Sequence, residues 1–222
     1  MTETVLGFDI RTCDPAILEA LWGGPLMLPG GFQSQGRGCL ISVETMMMPS
    51  IFRYHFDEDD VFNSWKLASK AYGHHHNVLR LWADFDAMRM AVVRAGIGVR
   101  LPAPLVTIGI TVHDVDVDAL RNPYWREILA EPVTPAELSD DWQFLGFDIA
   151  DDWLLSGLSH CDFESRRTAA FEARWSPCIN EAGLLGDLRD AVEFKSVLDS
   201  QVQEHAPFIV YGIYKYIRDL TS

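Results

Sequence analysis

The chain has 222 residues, of which 48% are hydrophobic and 23% charged, and its formal net charge is −14. This length fits one large domain or two small ones, and the hydrophobic share excludes a disordered chain. Such a negative charge also disfavours nucleic acid and anionic membrane surfaces as partners, because both are negatively charged themselves.

The sequence gives no sign of export or of a membrane anchor. The N-terminus, MTETVLGFDI, lacks the basic region and the long apolar stretch of a secretory signal. The most apolar run, residues 101–112, is interrupted by proline and glycine and is shorter than the ~18 residues that a membrane span needs. We therefore expect a cytoplasmic protein in which the four cysteines, at positions 13, 39, 161 and 178, are reduced thiols.

The first part of the chain predicts a strand, a helix and two more strands. Val5–Arg11 has the composition of a strand, and Asp14-Pro15 opens a helix, because Asp caps free N–H groups and Pro suits the first helical position. Two strands around a turn are expected at Cys39–Thr45 and Ile51–Phe56.

Two helices and a strand follow. Asp60 is expected to cap a helix that ends near Tyr72. A second helix is predicted from Asn77 to Gly96, because apolar residues recur at spacings of three and four between these positions. The alternation in Val106–Val112 then predicts a half-buried strand.

The last part begins with a proline-rich, acidic stretch at residues 123–141, which predicts loops and a short helix. We treat residues 1–222 as a single compact domain and place a seam between two subdomains, if there are two, near residues 121–141. The elements expected after it are a strand at Trp142–Ile149, helices at Phe163–Trp175 and Leu188–Leu198, and a strand at Phe208–Tyr216. Because strands and helices mix without strict alternation, the predicted fold class is α+β, with a mixed or mainly antiparallel sheet and several packed helices.

The pentapeptide Leu-Gly-Phe-Asp-Ile occurs twice, at residues 6–10 and 145–149. Alternation would place its Leu, Phe and Ile on one face of each strand. The similarity stops soon after each copy, so the sequence does not predict a duplicated domain. Asp9 and Asp148 could form a carboxylate pair that divides acid and base roles. The favoured alternative is that each bonds to the nearby backbone, a role open to any Asp at a strand end.

Other candidates for chemistry are few. Ser-His-Cys-Asp at 159–162 makes His160 and Cys161 candidates for a catalytic site, but adjacent residues seldom face one another. His74, His75 and His76 are candidates for a metal site, although consecutive side chains on a linker diverge too far to share one ion. We expect neither a metal nor a cofactor.

The strongest charge signal lies between Asp114 and Asp152. This segment has eleven carboxylates and only two cations, Arg121 and Arg126, so its formal charge is −9. Aromatic residues dominate the binding energy of many interfaces, which makes Trp125 and Trp142 candidate anchors beside these acids. The candidate partner-binding residues are Asp114, Asp116, Asp118, Trp125, Glu127, Glu131, Glu137, Asp140, Asp141, Trp142, Asp151 and Asp152.

Two functional hypotheses follow. The first is a binding protein that neutralises a cationic protein, such as a bacterial toxin immunity protein; the second is a small hydrolase or metal-dependent enzyme that uses Asp9, Asp148, His113 or His160. The first is favoured because the chain lacks the GxSxG, HExxH and GxGxxG motifs. An acidic surface that serves only solubility is the simplest alternative. Oligomeric state and the identity of any partner are left open.

Overall fold

The computed structural model describes residues 3–12, 41–42, 59–72, 81–97, 105–113, 115–130, 140–152, 157–158 and 169–220, and all structural statements below concern these residues. The strands are β1 (Glu3–Thr12), β2 (Ile41–Ser42), β3 (Leu105–His113), β4 (Trp142–Ala150) and β5 (Ile209–Tyr216). The helices are α1 (Asp59–Tyr72), α2 (Phe85–Ala95), α3 (Trp125–Ala130), α4 (Ala169–Trp175) and α5 (Leu188–Gln201), with short 3₁₀ helices at Val117–Ala119 and Ser176–Cys178.

The described strands form one sheet in the order β2-β1-β3-β5-β4, and every neighbouring pair is antiparallel. The predicted α+β class with a mainly antiparallel sheet is therefore confirmed. In the chain, the predicted seam at 121–141 falls between β3 and β4. No helix within the described ranges is long and apolar enough to cross a membrane.

Most predicted elements that fall on described residues are found within one to three residues of their expected ends. The exception is the helix expected from Asn77, which begins only at Phe85. Trp82 instead pairs with β1, where it exchanges two backbone hydrogen bonds of 2.8 and 2.9 Å with Phe8. Leu81 and Trp82 are buried because this segment packs as a short strand, and apolar spacing alone does not distinguish that burial from a helix.

Some predicted elements lie partly or wholly outside the described residues. Of the helix expected after Asp14 and the strand pair that follows, only Ile41–Ser42 lies within the described residues, as β2. The helix expected at Phe163–Trp175 is described from Ala169 onward.

Side-chain caps begin two of the helices, α2 and α5. Asp84 precedes α2, and its carboxylate accepts a hydrogen bond from the N–H of Ala87 at 3.0 Å. Asp187 does the same for α5 through the N–H of Arg189 at 2.8 Å. Each carboxylate satisfies an N–H that has no partner within the helix, as an N-cap should. Gly96 ends α2 with a left-handed conformation, φ 64°.

The repeated pentapeptide forms a bulge in both strands. The pairing register shifts between Val5 and Gly7 in β1 and between Phe144 and Gly146 in β4. Both glycines have positive φ, 153° and 142°, which residues with a side chain rarely adopt. A Cβ at Gly7 would lie 2.8 Å from the Trp82 carbonyl oxygen, and one at Gly146 2.8 Å from that of Leu185, so glycine is required at both positions.

The bulge also changes which face each apolar residue occupies. Leu6 belongs to a different core cluster from Phe8 and Ile10, and Leu145 lies apart from Phe147 in the same way. The expectation that Leu, Phe and Ile share one strand face is therefore wrong. The extra residue of a bulge breaks the period of two on which that expectation depends.

The similarity between the two copies extends far beyond five residues. We call β1, α1, α2 and β3 the first half, and β4, α4, α5 and β5 the second half. Phe8 pairs with Trp82 and with Gly109 of β3, while Phe147 pairs with Leu185 and with Gly212 of β5. Each later residue of the first half has its counterpart 103 residues further on: Trp82 and Leu185, Asp84 and Asp187, Gly109 and Gly212. The chain therefore contains a structural duplication, although the sequence did not predict one.

The sequence obscured this duplication because the spacing is not constant. The pentapeptide recurs after 139 residues and the rest of each half after 103, since the segment between the first strand and the second helix is shorter in the second half. A search for one fixed period misses a repeat whose loops differ in length.

The core has three parts. One cluster lies between β1 and helices α1 and α2, and a second lies between β4, β5 and helices α4 and α5. A third cluster fills the centre of the opposite sheet face, where Trp125 and Ile128 of α3 pack on Ile110, Val112 and Tyr211. The two halves thus share one sheet and one central cluster.

The outer side of β4 is bonded to loop residues. The Asn180 side-chain amide donates to the carbonyl oxygen of Leu145 at 2.7 Å, and Leu185 exchanges two backbone bonds with Phe147. The N–H of Gly157 donates to the carbonyl oxygen of Ile149 at 2.6 Å.

Candidate functional site

Asp9 and Asp148 lie too far apart to act together. Their strands are separated by β3 and β5, so three strand spacings of about 4.8 Å put them about 14 Å apart across the sheet. They are also offset along the strands. Asp9 is level with Lys215 of β5, through Ile108 of β3, whereas Asp148 pairs with Tyr211, four residues earlier in β5. This separation excludes a shared carboxylate pair.

Each of these two carboxylates has a local role. Both side chains are buried, and each accepts a hydrogen bond from the next backbone N–H, that of Ile10 at 2.8 Å and that of Ile149 at 2.7 Å. The favoured alternative, in which Asp9 and Asp148 bond to nearby backbone, is therefore confirmed.

The remaining catalytic and metal candidates fall outside what the structure describes. His74, His75, His76, His160 and Cys161 are not among the described residues, and of His113 only the backbone is described. Among the described residues, no group of three or more His, Cys, Asp or Glu side chains is placed to hold a metal ion. The enzyme hypothesis therefore stays a prediction for His113 and His160.

The acidic segment divides into an inner and an outer set. Asp151 and Asp152 are each 3% exposed, and Asp148 is fully buried. Asp116, Asp118, Glu127 and Asp140 are exposed, and Asp141 is half-buried. Asp114, Glu131 and Glu137 lie outside the described residues.

The inner set binds the connecting segment to the sheet. Asp152 accepts hydrogen bonds from the backbone N–H groups of Arg121 and Asn122, at 2.7 and 2.6 Å. The Asp151 carboxylate lies 3.1 Å from Nδ1 of His205. Because these side chains are buried and engaged, Asp151 and Asp152 do not contribute to a partner-binding surface, which corrects their assignment from the sequence.

The two tryptophans are also not exposed anchors. Trp125 is fully buried, and its indole N–H donates to the backbone carbonyl oxygen of Asp152 at 2.9 Å. Trp142 is half-buried in an aromatic cluster, with its ring centroid 5.2–5.4 Å from those of Phe8, Phe85 and Tyr216. Both rings join parts of the core, which accounts for their place in an otherwise polar segment.

Cations reduce the charge of the outer set. Asp118 forms a salt bridge with Arg126, and Asp141 forms one with Arg218 at 2.6 Å. Asp116 caps the first 3₁₀ helix through the N–H of Asp118, 3.1 Å away. The structure records no ion pair for Asp116 or Glu127 with any described cation.

An apolar groove adjoins the outer set. It has a volume of about 510 Å³, and its lining residues are Val115, Asp116, Ala119, Leu120, Leu188, Val192, Lys195, Ser196, Pro207, Phe208, Ile209 and Val210. Val192 is 49% exposed, and Asp116 is the acidic residue of the lining. Lys195 also lines the groove but is paired with Asp199 at 2.5 Å. Volumes of this size are typical of binding pockets.

The sequence alone does not predict the groove, for a physical reason. Its α5 wall lies more than 35 residues beyond the acidic segment and meets it only because β3 and β5 are neighbours in the sheet. The sequence contains one local signal of the groove. Val192 is an apolar residue that directly follows Ala191, which belongs to the buried stripe of α5.

Two potentially reactive side chains are held in their neutral forms. Burial, together with the carboxylates of Asp151, Asp152 and Asp148, raises the pKa of Tyr211 well above its ordinary value, so its hydroxyl stays protonated and donates to the backbone oxygen of Asp151 at 2.9 Å.

Cys178 is a free thiol, and burial, with a contribution from Asp190, raises its pKa although Arg174 acts in the other direction. A thiol nucleophile needs a lowered pKa, so Cys178 is not suited to that role.

No protein-family model, curated protein or solved structure matches this chain.

Proposed function

We propose that this protein binds and neutralises a cationic protein partner, as a bacterial toxin immunity protein does. The observation that carries the proposal is the position of Asp116, an exposed acidic residue, among the residues that line an apolar groove of about 510 Å³. A basic segment with one apolar side chain would fit both features, since the groove buries apolar surface and the carboxylate pairs with a cation.

The charge of the whole chain supports the same partner. A net charge of −14 attracts a basic protein over distances of about one Debye length, 8 Å at physiological ionic strength, and raises the rate of encounter. The same charge opposes nucleic acid. Glu127 is also exposed and, like Asp116, has no ion pair with a described cation. A cytoplasmic location is part of this proposal, because reduced cysteines and a protective role inside the producing cell both require it.

Affinity capture with the purified chain tests the proposal. The expected result is a basic protein that can then be purified and titrated with the chain, and whose affinity falls steeply between about 0.05 and 0.5 M salt because exposed charges are screened. The pair Asp116→Lys and Glu127→Lys should weaken this binding by tenfold or more, about 1.4 kcal/mol.

Glu181→Lys is the matched control, since Glu181 is equally exposed but lies in the loop before α5 and does not line the groove. The Glu181→Lys variant changes the net charge by as much as each of the two test substitutions does, and it should have little effect on binding. The proposal fails if the captured partner is acidic, if binding does not depend on salt, or if Glu181→Lys weakens it as much as Asp116→Lys.

A further inference from the structure

The outer surface of α2 differs from that of α5, although the two helices occupy equivalent positions. Met90 and Val93 of α2 are 47% and 48% exposed, and Leu67 of the neighbouring helix α1 is 68% exposed. The residues 103 positions after Met90 and Val93 are Glu193 and Ser196. The fold therefore accepts polar residues at these positions, so packing does not explain the apolar surface of the first half.

Charges on α2 are arranged symmetrically about Met90. Asp86 lies four residues before it and Arg94 four residues after it, and both side chains are exposed. Asp86 also forms a surface ion pair with Arg89 of its own helix, 3.6 Å away, and remains accessible to a second partner because its side chain is 81% exposed. Residues spaced by four lie on one helix face, so α2 presents an acid, an apolar residue and a base in one line. The equivalent line on α5 is Arg189, Glu193 and Val197, which lacks this arrangement.

We propose that this face of α2 binds the same face of a second copy of the chain. With the two helices antiparallel and a twofold axis near Met90, Asp86 of each copy faces Arg94 of the other. A contact of this kind is isologous, because one surface serves both copies. The pair of Asp86 and Arg94 is complementary to itself in the antiparallel arrangement, which favours a second copy over an unrelated partner.

The size of the surface sets the strength of the contact. Stable interfaces bury about 1,200–2,000 Å² in total, and one helix pair with Leu67 at its margin buries less. We therefore expect a weak, reversible dimer whose population rises with protein concentration. The contact lies on the helix-covered side of the first half, whereas α3 with Glu127 lies on the opposite face of the sheet, so it does not depend on the proposed function.

Sedimentation velocity between about 1 µM and 1 mM tests this inference. The mean mass should rise with concentration in the native chain. Asp86→Arg and Arg94→Asp should each weaken association by about tenfold or more at low salt, because each places like charges opposite one another. The double variant D86R/R94D restores both pairs and should recover the native dissociation constant to within a few-fold.

Two further variants complete the design. Met90→Glu introduces the residue that α5 has at this position and should give a monomer at all concentrations tested. If circular dichroism shows that the double variant D86R/R94D has lost helix, the Met90→Glu result alone tests the dimer contact. Ile217→Glu is the control, because Ile217 is 55% exposed but lies outside both this face and the groove, and it should leave association unchanged. The inference is overturned if the native chain stays monomeric at about 1 mM, if Met90→Glu still dimerises, or if a folded double swap associates as weakly as the single swaps.

Discussion

The two halves of the molecule share a backbone arrangement but fill their cores differently. In the first half, Trp65, Trp82 and Met88 pack beside Ala91; in the second, the position of Ala91 is taken by Phe194, which packs edge-on against Trp175 with ring centroids 4.9 Å apart. The features retained are those that fix the backbone, namely the bulge glycine, the Asp after the repeated Phe, and the helix-capping Asp. Core side chains tolerate exchange as long as their total volume is conserved, whereas a positive φ does not tolerate a side chain.

The largest expected effect comes from the bulge glycines. Gly7→Ala and Gly146→Ala should each lower the free energy of unfolding by about 4 kcal/mol, from backbone strain of 1–3 kcal/mol and a comparable cost of overpacking. Urea denaturation measures both losses, which should be similar if the halves are equivalent. Gly186→Ala is the control, because its nearest atom would lie 3.9 Å from the new Cβ, and it should cost little. A loss at only one of the two bulges would contradict the equivalence.

A smaller effect should distinguish the halves by pH. The equivalent of Tyr211 in the first half is Ile108, so only the second half has a buried phenol in this row. The pKa of Tyr211 is raised above 10.0 in the folded protein, so the unfolded chain loses this proton first as pH rises. Stability should therefore be intact below pH 10 and fall above it, by up to about 1.4 kcal/mol per pH unit.

Tyr211→Phe separates this effect from general alkaline denaturation. The variant should lose about 1 kcal/mol at neutral pH, the usual value of one buried hydrogen bond, and its stability should decline less steeply above pH 10. Thermal unfolding at a series of pH values gives both quantities. An unchanged slope in the variant would show that Tyr211 does not cause the alkaline loss.

The smallest expected effects concern the helix caps. Asp84→Ala and Asp187→Ala should each cost about 1 kcal/mol, because each leaves one N–H of its helix without its side-chain acceptor. Urea denaturation of the two variants and of the pair checks this. The two losses should add in the double variant, since the caps belong to separate helices. A much larger loss at one cap would show that the halves depend on their second helices to different extents.

Local signals in the sequence predicted much of the fold. Asp187 before an apolar stripe and Gly96 after one located helix ends, and alternation located Val106–Val112 as a strand. The predictions that were wrong concern features that depend on contacts between distant segments. The extended Leu81-Trp82 pair exists only because β1 lies beside it, and the face of Leu6 depends on a bulge.

The site could be predicted only in part, for the same reason. A count of carboxylates between Asp114 and Asp152 contains no information on burial, and the structure shows Asp148, Asp151 and Asp152 inside the molecule. Composition also did not place α5 beside Asp116, because the order of strands in a sheet is not encoded by any single segment.

The loop bonds along the outer side of β4 have a consequence for behaviour at high concentration. A strand at the margin of a sheet presents unpaired backbone groups on which another chain can build, a common start of aggregation. Here the carbonyl oxygens of Leu145, Phe147 and Ile149 are all engaged by Asn180, Leu185 and Gly157. The second half thus closes its own margin with loops, so the protein need not rely on repulsion between its negative charges to prevent strand-by-strand growth of fibrils.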